Sequence, residues 1–80
     1  MSEREIRKFM EQVSPSPGFI LTLSKTELSD IIYDLTGLEL EQYEQNGSSH
    51  AKRLATLLSN TDELTSAKIT THLLYIKGQQ

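Results

Sequence analysis

The chain has 80 residues, 36% hydrophobic and 24% charged, with 8 Lys+Arg against 11 Asp+Glu and no cysteine or tryptophan. That length allows a single domain over residues 1–80 with a small core, since a chain this short buries only about 60% of the surface its unfolded form exposes. Excluded are a catalytic cleft between two domains, a dinucleotide-binding fold, disulfides, thiolate zinc sites and the strongly basic surface of a typical nucleic-acid binder.

The N-terminus, MSEREIRKFMEQ, is charged throughout and has no apolar h-region, so it does not read as a signal peptide. Apolar clusters of four or five residues are far too short to span a membrane, and a cytoplasmic protein is the expectation. Ser2 followed by Glu3 and Glu5 reads as a cap with an acidic first turn, favoured by the positive end of the helix dipole. Ile6, Phe9, Met10 and Val13 then form one apolar stripe, predicting a first helix over 3–13 that the Ser14–Gly18 segment with its two prolines stops.

Phe19–Leu23 is a continuous apolar run, either an extended segment across the core or a lead-in to the next helix. Ser24 and Glu27 match a capping box, with Leu23 and Leu28 placed as a hydrophobic staple. Leu28, Ile31, Ile32 and Leu35 repeat the stripe and Gly37 suits a left-handed stop, predicting a helix over 25–36. Leu38, Leu40 and Tyr43 alternate with glutamates, but no second strand exists to pair with them, so a short helical turn or extended connector is expected. Asn46–Ser49 reads as a turn and then a cap. Ala51, Leu54, Ala55, Leu57 and Leu58 predict a third helix over about 49–58. Asn60 and Glu63 have capping-box spacing ahead of a fourth helix over 61–77, which carries Leu64, Ala67, Ile69, Leu73, Leu74 and Ile76 and should end at Gly78. Residues 1–3 and 78–80 are expected to fray. The fold class is therefore all-α, a compact bundle of four main helices with room for short helical turns at 19–23 and 38–44.

No constellation carries catalysis. His50 and His72 match no metal spacing, and Ser48-Ser49-His50 lacks the converging third group that a nucleophile and base require. The Ser48–Ser49 pair is explained as turn and cap. His50 is expected in solvent near a helix start, and His72 at a boundary beside Lys68 and Tyr75. No enzyme activity, cofactor, metal or small-molecule substrate is expected.

Charge is uneven. Glu27, Asp30, Asp34, Glu39, Glu41 and Glu44 fall within residues 27–44, where no lysine or arginine occurs, a local charge of −6 between two slightly basic flanks. The plain reading is a solvated acidic face; the sharper one is a docking surface for a basic partner, because charge complementarity steers encounter and selects partners. His50, Lys52 and Arg53 would form a second, mildly basic face that permits head-to-tail self-association. The alternative is a nucleic-acid-associated regulator in which Lys52 and Arg53 reach phosphate, although no aromatic interleaving or long basic stripe supports it.

The run Leu23-Ser24-Lys25-Thr26-Glu27-Leu28, then Thr36–Glu44, Gly47–Leu54 and the closing Leu73-Leu74-Tyr75-Ile76, resembles the small helical N-terminal domains of bacterial abortive-infection (phage-defence) proteins. The resemblance covers about two-thirds of the chain and implies a non-enzymatic recognition or assembly module, an adaptor for an effector. Counting 19–23 and 38–43 as helices would give the six helices of the related death-fold-like adaptors of bacterial defence systems.

Overall fold

Three of the four helices start at a serine. The computed structural model describes residues 1–15, 19–45 and 47–79. In α1 (Glu3–Val13) the Ser2 hydroxyl accepts from the Glu5 N–H at 3.2 Å, and the Glu5 carboxylate accepts from the Ser2 N–H at 2.9 Å. Ser24 and Glu27 repeat this reciprocal pair, at 3.1 and 2.9 Å, at the start of α2 (Lys25–Thr36). In α3 (His50–Asn60) the Ser49 hydroxyl accepts from the Lys52 N–H at 3.2 Å. Each cap satisfies a backbone donor that has no partner within its helix. Ser24→Ala should therefore lower stability by about 1 kcal/mol in urea denaturation, with no change in the slope against denaturant.

The fourth cap differs from expectation. Asn60 belongs to α3, and its side-chain amide donates to the Thr56 carbonyl at 2.7 Å, so it does not cap α4 (Glu63–Gln79). Asp62 does so instead, accepting from the Thr65 N–H at 2.7 Å. The Thr65 hydroxyl and N–H both hold the Asp62 carboxyl below its usual range. Nor does Gly78 end α4: the helix runs on to Gln79, whereas Gly37, at φ +75°, does stop α2 in the left-handed conformation.

Between the helices, Leu40–Gln42 forms the expected short turn of 3₁₀ helix. The run 19–23 is not a helix. It is a connector with a turn at Leu21, whose positive φ of 51° is uncommon for a leucine. The Leu21 N–H donates to the Val13 carbonyl at 2.6 Å, and the Ile20 and Leu21 side chains are buried, which holds that conformation in place. The stop at Ser16–Gly18, the turn at Asn46 and the end at Gln80 lie outside the described residues.

Among the described residues the architecture is all-α, with no strand. α1 packs on α3 and α4, α2 packs on α4, and the 3₁₀ turn joins α2 to α3. The core comprises Ile6, Phe9 and Val13 from α1, Leu28 and Ile32 from α2, Leu54, Leu57 and Leu58 from α3, and Ile69 and Leu73 from α4. Ile20, Leu21 and Leu40 complete it from the connections. A radius of gyration of 11.1 Å matches the roughly 11.6 Å of a compact chain of this length. At the N-terminus, expected to fray, the Met1 ammonium donates to the Leu58 carbonyl at 3.4 Å and pairs with Glu63 at 3.3 Å. No helix is long and apolar enough to cross a membrane among the described residues.

Candidate functional site

α2 faces two neighbours, and its residues sort accordingly. Successive residues turn by 100° around a helix, so with Leu28 and Ile32 in the core, Ser29 and Leu35 fall on opposite flanks. The Ser29 hydroxyl donates to the Glu41 carboxylate on the 3₁₀ turn, which fixes one flank. Leu35 lines a groove with α4, which fixes the other. Glu27, Ile31 and Asp34 lie on the Leu35 flank, and Asp30 stands at the crest opposite the core.

This geometry divides the six carboxylates. Glu39, Glu41 and Glu44 lie beside the 3₁₀ turn and are tied into the fold. Glu39 accepts from the Gln42 amide at 2.9 Å, Glu41 accepts from Ser29, and Glu44 pairs with Arg53. The Ser29 hydroxyl holds the Glu41 carboxyl below its ordinary range. Glu27 caps α2, and the Ser24 N–H holds its carboxyl low in the same way. Asp30 and Asp34 form no hydrogen bond or ion pair with the described residues; both are exposed. The acidic segment is thus two clusters, and Asp30 and Asp34 on α2 have their charges available.

The basic trio is likewise split. His50, expected in solvent, is 3% exposed because the Phe19 ring covers it edge-on, with ring centres 6.0 Å apart. The Arg53 side chain is only 14% exposed and its guanidinium is held by Glu44, which leaves Lys52 as the exposed cation of the three. A phosphate-binding surface on α3 would therefore begin from Lys52 alone.

Leu35, Leu64 and Ala67, counted in the apolar stripes of α2 and α4, line a groove instead. Leu64 is 69% exposed and Tyr75 is 64% exposed, at opposite ends of a stripe along α4 that also contains Ala67, Lys68 and Thr71. Spacings of four, three and four residues separate Leu64, Lys68, Thr71 and Tyr75, which is one helix face. With Leu35 from α2 and His72, these residues bound an open trough of about 540 Å³. The His72 and Tyr75 rings stack at 6.4 Å, as expected of a boundary histidine. Lys68 sits in the trough with Asp62 near enough to feel its charge. The apolar residues of α4 are spread around the helix, so the sequence shows that a single core face cannot bury them all but not which stay outside.

Isolated exposed apolar side chains are ordinary, but Leu64 and Tyr75 share one trough with Leu35 and Ala67. The trough is open along its length and does not enclose a small molecule, as ligand pockets do. Among the described residues, no three histidine, aspartate or glutamate side chains converge as metal ligands. No protein-family model, curated protein or solved structure matches the chain.

Proposed function

We propose that this domain is a non-enzymatic protein-interaction module that docks a basic amphipathic helix in the α2–α4 trough. The observation that carries this reading is the exposed Leu64–Tyr75 stripe with Leu35 beside it; on α2, Asp34 lies on the Leu35 flank and Asp30 at the crest. From Leu64 to Tyr75 the stripe runs eleven residues, about 16 Å or three helical turns. A partner helix of similar length would lay apolar side chains spaced i, i+4, i+7 and i+11 along it, the usual mode of helix-in-groove recognition. Lysines or arginines flanking that stripe would meet Asp30 and Asp34, which set partner choice and encounter rate more than affinity. The adaptor role implied by the resemblance to abortive-infection N-terminal domains is of the same kind, and phage defence is the setting that resemblance suggests.

Two fluorescein-labelled helical peptides of about 14 residues test the reading, each with leucines at those four positions. One carries lysines on its flanks and the other glutamates. Fluorescence anisotropy should show binding of the lysine peptide and at least tenfold weaker binding of the glutamate peptide at low salt. Equal affinity for the two, or no binding of either, overturns the reading.

A further inference from the structure

We infer that His50 is an acid-sensitive latch: a proton taken up there undoes the contact between the start of α3 and the Phe19–Leu23 connector. His50 is the first residue of α3, buried beneath Phe19, and both its ring nitrogens lack a hydrogen-bond partner. The buried Nε of Arg53 lacks one too, so this corner already holds more donors than acceptors. An imidazolium would bring two N–H donors that both need acceptors, and neither nitrogen has one within hydrogen-bond reach. Its charge would also be unwelcome. Lys25 opens α2 on one side, Arg53 follows on α3, Glu44 is turned to Arg53, and the start of α3 is the positive end of its dipole.

The neutral ring is therefore the form this corner accommodates. Burial, then Lys25, then Arg53 hold the His50 pKa below its usual 6.5. The unfolded chain takes up its proton first as pH falls through about 6.5, so the stability His50 contributes is full above that pH and is lost as pH falls toward the lower folded value. The part of the connector that can give way is Phe19, since Ile20 and Leu21 are anchored in the core. That ring is 56% exposed, so it can swing away from His50 without uncovering the buried Ile20 and Leu21.

Proton NMR on the His72→Gln protein, in which His50 is the sole histidine, tests this between pH 7.5 and 4.5. The His50 ring should titrate with a midpoint below 6.5, and the amides of Phe19, Leu21, Lys25 and Arg53 should shift with the same midpoint. A midpoint of 6.5 or above, or amides that stay in place, overturns the latch. Phe19→Ala, which uncovers the ring, should move the midpoint up toward 6.5; no movement counts against it. Urea unfolding across the same range gives an independent reading. The unmodified protein should lose stability from about pH 6.5 downward through net proton uptake on unfolding, while His50→Leu stays level until carboxylates begin to titrate. Identical slopes for the two would overturn the inference without bearing on the α2–α4 trough.

Discussion

Leu54→Ala is expected to lower stability by about 2–5 kcal/mol, the range for removing a fully buried leucine and leaving a cavity. Leu54 is fully buried on α3, one turn ahead of Leu57 and Leu58 in the shared core. α3 is the helix that meets both α1 and the 3₁₀ turn, so a cavity there loosens contacts on two sides. A domain of this length has a total stability of only about 4–12 kcal/mol at the usual per-residue value, so the loss is a large fraction of the whole. Urea denaturation followed by circular dichroism should show a lower midpoint and a similar slope. A loss below about 1 kcal/mol would mean that α3 does not occupy the centre of the core.

The second large effect concerns charge at the trough. Reversal of Asp30 and Asp34 to lysine should invert the peptide preference, so that the glutamate-flanked helix binds and the lysine-flanked one does not. Neither carboxylate caps a helix or bonds another described residue, so helicity should survive the double change, unlike a change at Glu27 or Glu44. The two lie at i and i+4 on α2, and their mutual repulsion costs a few tenths of a kcal/mol in the free protein. A cationic partner relieves that repulsion. The inversion should fade with salt, as the screening length falls from about 10 Å at 0.1 M to about 3 Å at 1 M. An unchanged preference would mean that the apolar stripe alone governs docking.

Helix boundaries were legible wherever their signals were local. Ser24, Glu27 and Gly37 lie within one or two turns of the atoms they satisfy, so α2 was read to the residue. Asn60 and Asp62 show the limit of such reading. Two side chains two residues apart could each cap α4, and Asn60 lost because α3 extended far enough to use it. Side-chain environment was harder to read. The burial of His50 depends on Phe19, which lies 31 positions earlier and is brought over it by the connector. Thr56 and Ser66 are buried although polar, because each hydroxyl can donate to a carbonyl nearby: Thr56 to Lys52 at 2.8 Å, and Ser66 to Leu58 at 3.5 Å. The acidic run was visible as a run, but nearness in sequence is not nearness on a surface. α2 and the 3₁₀ turn present their carboxylates to different neighbours.

The trough itself emerges only from assembly. Leu64, Leu74 and Tyr75 are apolar residues on a helix whose core face is already filled by Ile69 and Leu73, and packing of α2 against α4 decides which of them remain outside. Leu35, which counts as core in the α2 stripe, becomes the wall of a groove for the same reason.

Amide NMR mapping with the lysine-flanked peptide tests the docking surface most directly. Titration should shift the resonances of Leu35, Leu64, Lys68, Thr71 and Tyr75, with Asp30 and Asp34 at the margin, and leave Ile6, Met10 and Ala55 on the α1–α3 side unmoved. Shifts centred on the α1–α3 side, or spread evenly over the molecule, would contradict it.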